Sequence, residues 1–177
     1  TVDRITQGYF LVKDEDRPNL LVRLLDQENP KTAIIFANTK ADVDRIAASL
    51  QEAKFTADAL HGDLKQSQRN YVMSRFRNKQ LSLLIATDVA ARGLDVSDVE
   101  LVINYDLPQQ DEVYVHRIGR TGRAGKKGKA YSFVTPRKRR MIEVLSKYIK
   151  HKNKKLEYPT EDSIYKQRLK SFKNELK

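Results

Sequence analysis

With 177 residues, 40% of them apolar, the chain suits one packed domain and a short appendage. It has no cysteine, no apolar run of membrane-spanning length and no leader in its first residues, so disulfides, thiolate metal sites and membrane spans are excluded and a cytoplasmic setting is expected. The net charge of +11 is uneven: residues 1–135 carry 20 basic against 18 acidic groups, and residues 136–177 carry 14 against 5, a near-neutral body with a basic tail suited to holding a polyanion.

A strand is predicted over residues 5–12. Asp14-Glu15-Asp16 and Pro18 then open a helix whose apolar stripe is Leu20, Leu21, Leu24 and Leu25, and Asn29-Pro30 stops it. Residues 32–36 are a short apolar run bounded by turn signals, as in a strand covered on both faces. Thr39 and Asp42 introduce a helix with Val43, Ile46, Ala47 and Leu50 on one side. The unit repeats as a strand over 55–60, a His61-Gly62-Asp63 loop, a helix over 66–78 and a strand over 81–86. Thr87-Asp88 and Ala90-Ala91-Arg92-Gly93 form a tight passage to a strand over 99–105, which Asp106-Leu107-Pro108 ends. A short helix over 111–118 follows, and a strand over 129–134 is expected to close the sheet. Pro136 starts a helix carrying Met141, Leu145, Tyr148 and Ile149. This alternation specifies an α/β fold in three layers, a largely parallel sheet with helices on both faces. Its ligands belong at the carboxyl ends of the strands, where Asn38-Thr39, His61-Gly62-Asp63, Thr87-Asp88 and the stretch after Pro108 converge on one rim.

Residues 151–158 read as a linker. Thr160 then caps a helix on which Tyr165, Leu169, Phe172 and Leu176 step by four, three and four residues, a coiled-coil-like stripe. We divide the chain into a body over 1–150 and a linker with a basic helical extension over 151–177. The lack of an initiating methionine leads us to expect a piece of something longer.

The most informative stretch runs from His116 to Arg123. Arg117, Arg120 and Arg123 recur every three residues, near one face if a helical turn covers them, and Gly119 and Gly122 leave room for close approach. Arginine forks suit phosphate oxygens better than lysine does, which favours a phosphate clamp over a solvated basic loop. The run from Arg137 to Arg140 with Lys147, Lys150, Lys152, Lys154 and Lys155 is either a second polyanion surface or simply a solvated helix face and linker.

In this order, Ile34 to Thr39, His61-Gly62-Asp63 with Gln66 and Arg69, Ala86 to Asp95, Val102 to Pro108 and His116 to Arg123 make the sequence resemble the second RecA-like domain of the DEAD-box RNA helicases. The resemblance covers roughly residues 1–150. It implies that Arg120 and Arg123 reach across an interdomain cleft to the phosphates of ATP. His116 and Arg117 would contact the first domain, and Gly93 and Asp95 would meet the nucleotide, Asp95 at its ribose. Thr39, Gly62, Asp63, Gln66, Arg69 and Thr87 would line RNA. Taken alone, His116 would be an ordinary buried histidine and Asp95 a turn former.

The family's first domain, which holds ATP and Mg2+ through a phosphate loop, has no counterpart here. A G-x-x-x-x-G-K-[ST] ending at Gly128-Lys129 would need glycine at position 123 and Ser or Thr at 130, and the chain has Arg123 and Ala130. The domain alone is therefore expected not to hydrolyse ATP. Its expected partners are RNA and the missing first domain, with no membrane, and dimerisation is an option through a segment similar to the C-terminal extension of bacterial cold-shock DEAD-box proteins. A stand-alone RNA-binding or protein-interaction module without catalysis, and a DNA helicase of the same fold, are the rival readings.

Overall fold

The structure, a computed structural model, describes residues 4–92, 96, 98–123 and 125–175. Three short strands, β2 (Ala33–Phe36), β4 (Leu83–Ala86) and β5 (Leu101–Asn104), are buried at every position, as strands covered on both faces must be. With β1 (Ile5–Leu11), β3 (Ala57–Leu60), β6 (Gly128–Val134) and β7 (Lys154–Lys155) they form a seven-stranded sheet in the order β3-β4-β2-β5-β6-β1-β7. All of its pairings are parallel, so helices must carry the chain back between strands.

Alternation along β2 splits the core into two layers. Ala33 and Ile35 pack against the leucines of α1 (Arg17–Glu28) and the Val43, Ile46, Ala47 and Leu50 face of α2 (Lys40–Glu52). Ile34 and Phe36 pack on the other side, with Val72, Met73 and Phe76 of α3 (Gln66–Arg77), Tyr114 and Ile118 of α5 (Asp111–Ile118), and Ile142 and Leu145 of α6 (Arg139–Ile149). The three predicted layers are thus present. From β2 the chain runs out to β3 and back to β4, passes through the short α4 (Asp88–Ala91), and crosses β2 to reach β5. That reversal puts a crevice at the carboxyl ends of β4, β2 and β5, where open α/β sheets bind ligands.

The sheet's far edge differs from expectation. β6 lies inside the sheet, and β1 and then β7 form the edge beyond it. The stretch read as a linker supplies β7: Lys154 pairs with Gly8, and the Leu156 N–H donates to Tyr9 O at 2.7 Å. Leu156 lies where a side chain at position 8 would stand, since a Cβ on Gly8 would come within 2.5 Å of it. Asn153 is buried and donates to the Tyr114 hydroxyl.

The last helix, α7 (Glu161–Glu175), runs against α1 but not by its apolar stripe. Ile164, Gln167 and Ser171 are its partly covered positions, and Arg168 pairs with Asp26 at 3.3 Å. Tyr165 and Phe172 remain 65% and 57% exposed, as does Leu169 in part; Leu176 lies outside the described residues. Among the described residues no helix is long and apolar enough to cross a membrane.

These packing differences separate two truncations. A chain ending at Tyr158 is expected to lose about 1 kcal/mol, or roughly 2–4 °C in melting temperature. A chain ending at Lys150 also loses the β7 edge, Leu156 and the Asn153 bond, and should fall on the order of 10 °C. Thermal unfolding of the two chains measures the difference, and equal losses would mean that residues 151–158 do not belong to the core.

Candidate functional site

The crevice is built around Arg117. Its side chain is 1% exposed, and the five N–H groups of its guanidinium make five hydrogen bonds. Nε and Nη2 grip both carboxylate oxygens of Asp88, each at 2.7 Å. Nη1 donates to Asn104 Oδ1 at 3.2 Å and to the Asp106 carbonyl at 2.7 Å, and Nη2 also reaches Asn38 Oδ1 at 2.9 Å. One arginine from α5 therefore ties together the segments that leave β2, β4 and β5. A further tie comes from α1, where Arg17 donates to Asp106 Oδ1 at 2.6 Å while the Asn38 N–H donates to Asp106 Oδ2 at 2.9 Å. The five donors of Arg117 are all engaged inside this domain, where it positions the rim.

The neighbouring cations go elsewhere. α5 ends at Ile118 with Gly119 as its cap, so no helical turn stacks the three arginines on one face. Gly122 follows at φ 70, a conformation natural to glycine, and a Cβ there would stand 2.8 Å from Ile5. Arg120 reaches back to the carbonyls of Ala91 at 3.0 Å and Val96 at 3.2 Å. Arg123 is exposed, with its Nε on Gly119 O at 2.8 Å. His116 is exposed as well, beside a small cleft that Phe36, Asp88, Ala91, Arg92 and Arg120 help to line, and so is not the buried histidine its residue type alone suggests. Gly93 and Asp95 lie outside the described residues.

Thr39 and Thr87 occupy equivalent places at the ends of the adjacent strands β2 and β4. Each caps the following helix, Thr39 Oγ1 accepting from the Asp42 N–H at 3.2 Å and Thr87 Oγ1 from the Ala90 N–H at 3.4 Å. An accepting hydroxyl keeps its own proton to donate, beside helix amino termini that favour anions. Thr39 is exposed, whereas Thr87 is nearly buried.

The His61 loop extends the same rim beyond β3. His61 is buried, with Nε2 on Asp44 Oδ1 at 2.8 Å and Nδ1 accepting from the Asp63 N–H at 3.2 Å, which fixes the loop that presents Gly62 and Asp63. The Lys40 ammonium, 2.7 Å from the Asp63 carboxylate, holds its pKa below the ordinary range. Gln66 and Arg69 do not act as a pair. Gln66 is exposed and bonds Asn70, whereas Arg69 turns inward to the Ala90 carbonyl at 3.2 Å. Asn38 and Asp88 belong to the rim clusters legible in the sequence, though not as partners of Arg117; Asn104 and Asp106 stand in a motif without a role, and Arg17 and Asp44 carry no local signal. A polar Asn104 ending an otherwise apolar strand was the one visible signal among these last four.

Among the described residues, no group of three or more acidic or histidine side chains is placed to hold a metal ion. The carboxylates nearest the crevice, Asp88 and Asp106, are already engaged by Arg117 and Arg17. Arg123, exposed and held only through its Nε among the described residues, leaves its terminal N–H groups free to meet an anion.

The family model of the helicase conserved C-terminal domain matches residues 16–125. The DEAD-box ATP-dependent RNA helicase CshA of Bacillus subtilis is 45% identical over 162 residues, which are 92% of this chain and 33% of that protein, so the chain spans about a third of this curated relative. The C-terminal domain of the DEAD-box protein Dbp5 superposes with a TM-score of 0.85 at 31% identity, covering 97% of this chain and 99% of that one. Saccharomyces cerevisiae Dbp5 bound to RNA and ADP BeF3 also gives 0.85, at 33% identity over 97% of this chain and 46% of that one. The chain belongs to the DEAD-box family of ATP-dependent RNA helicases, of which it is a C-terminal, RecA-like domain.

Proposed function

We propose that this domain forms one wall of an ATP cleft and half of an RNA track, completed by a first RecA-like domain that holds ATP and Mg2+. One observation carries the reading: a single buried arginine organises the ends of three strands, and the side chains on either side of it, His116 and Arg123, are left exposed on the rim. Arg123 and Arg120 supply charge to the phosphates, where a phosphoryl transfer concentrates negative charge. Gly93 and Asp95 are assigned to the nucleotide, and His116 to the contact with the first domain. ATP supplies the energy of the conformational cycle; the residues here orient its phosphates and exclude water as the cleft closes.

RNA is assigned to the same rim. Thr39 and Thr87 offer O–H donors beside helix amino termini, Gly62 gives close backbone access, and Gln66 offers an exposed amide. Such contacts meet phosphate and ribose without reading bases. Asp63 suits a 2′-hydroxyl, which would favour RNA over DNA. Arg69 serves by holding α3 against α4. In this reading the whole protein separates short duplexes locally in the cytoplasm. The Dbp5 complex with RNA and ADP BeF3 supports it through the shared fold. The exposed Tyr165, Leu169 and Phe172 face of α7 leaves the pairing of two copies as an option within the same reading.

RNA-stimulated ATPase of this chain alone, then with a first RecA-like domain fused before it, tests the proposal. Turnover is expected only in the fused protein and with RNA rather than DNA as activator. Turnover by the chain alone would require a nucleotide site elsewhere. Silence of the fused protein would favour a binding module, and equal activation by DNA would favour a DNA helicase.

A further inference from the structure

At the opposite end of the strands, away from the crevice, a cleft of about 520 Å³ opens between the start of β1, the turn before β6 and the segment leading into β7. Arg4, Lys127, Lys152 and Lys154 line it, and among the described residues no carboxylate does. Four cations around one concavity repel one another unless an anion joins them. Two further residues of its lining, Gln7 and His151, are the second observation. Gln7 is 4% exposed, and neither its Nε2 nor His151 Nδ1 has a hydrogen-bond partner among the described residues, although both atoms are buried. Buried polar atoms in a native protein are nearly always partnered, so two orphans on the lining of one cleft call for a partner from outside the chain.

The polarity of the site is set from behind. Asn153 Nδ2 donates to the Tyr114 hydroxyl at 3.3 Å, and that hydroxyl donates to Gln7 Oε1 at 2.6 Å. Burial pushes the Tyr114 phenol up to about 12, so it keeps the proton it donates. With its oxygen committed, Gln7 has only its N–H groups left to offer, and these suit an oxygen acceptor. We propose that this cleft binds a terminal phosphate group, with Gln7 and His151 contacting its oxygens and Arg4, Lys127, Lys152 and Lys154 balancing its charge. The group is a phosphate monoester or a diphosphate, carried by a free small molecule or by an RNA end. The site is separate from the nucleotide and RNA surface at the carboxyl rim, and it gives a use to part of the lysine-rich composition of the tail.

The test is a titration of inorganic pyrophosphate into this chain at low ionic strength, followed through the ring signals of its three histidines by NMR. The His151 signals are expected to move saturably and those of His61 to stay in place. Lys152→Ala with Lys154→Ala, both on the surface, should weaken the binding by roughly tenfold or more, as should Gln7→Leu, whereas Lys147→Ala on α6 should not. A silent His151, or equal losses from Lys147→Ala and the lysine pair, would overturn the site. Two short RNAs then identify the source. A 5′-monophosphate RNA that shifts His151 where its 5′-hydroxyl twin does not points to an RNA end, and pyrophosphate acting where neither RNA does points to a small phosphorylated compound. Equal shifts from both RNAs would mean a grip on the backbone and would overturn the terminal-phosphate assignment.

Discussion

Replacing Arg117 by alanine is expected to destabilise the domain by about 3–5 kcal/mol, the usual cost of removing one partner of a buried ion pair. The melting temperature should fall on the order of 10 °C. The physical reason lies in what stays behind. Asp88 keeps a carboxylate whose bidentate partner is gone, the buried Asn104 and the Asp106 carbonyl each lose a donor, and the more exposed Asn38 loses one that water can replace. Arg117→Lys should recover less than half of the loss, because one ammonium with three donors cannot satisfy a planar fork making five bonds. A double-mutant cycle with Asp88→Ala assigns the effect: if the pair acts as a unit, the double variant loses clearly less than the two single losses added. A loss within about 0.5 kcal/mol for Arg117→Ala would show that the strand ends hold without it.

That expectation was not legible in the sequence, and the reason is general to clusters of like residues. Spacing would put Arg117, Arg120 and Arg123 near one face if a helical turn covered them, but the helix ends at Ile118 and the three guanidinium groups part company. One goes inward, one goes to the carbonyls of Ala91 at the end of α4 and of Val96, and one goes outward. Residue type reports that a chain carries three forks; depth is decided by which loop carboxylates and amides fold over them. His61 shows the same limit, since its partner Asp44 sits on a different helix with no local pattern to announce it. What sequence did report well was periodicity. The apolar faces of α1 and α2 are buried at the positions their spacing gave, and Thr39 caps α2 as its place before Asp42 implied.

Edges were harder to read. A two-residue strand of lysines has no alternation to detect, and charge on an edge strand is the usual guard against unwanted pairing. For α7 the stripe announced a helix but did not tell which face docks on α1. α1 turns Asp26 and Arg23 outward, and these meet Arg168 and the Pro159 carbonyl, so the helix docks through a mixed face of Ile164, Gln167, Arg168 and Ser171.

In a protein carrying both domains, Arg123→Ala is expected to lower RNA-stimulated ATP turnover by about 10³-fold or more, the range of arginines that stabilise phosphoryl transfer. RNA binding by this chain should stay nearly unchanged. Stability should move by less than about 0.5 kcal/mol, because Arg123 is exposed and, among the described residues, its side chain holds only a backbone carbonyl, Gly119 O, through its Nε. Arg123 is a cleaner probe than Arg120, whose removal also deprives the Ala91 and Val96 carbonyls of a donor and so mixes folding with turnover. Arg123→Lys should remain strongly impaired, since a point charge without a fork orients phosphate oxygens poorly. Steady-state turnover, RNA affinity and melting temperature measured on the same variants separate the outcomes. Loss of turnover alone places Arg123 at the phosphates, equal loss of turnover and RNA affinity makes it an RNA ligand, and unchanged turnover removes it from the cleft.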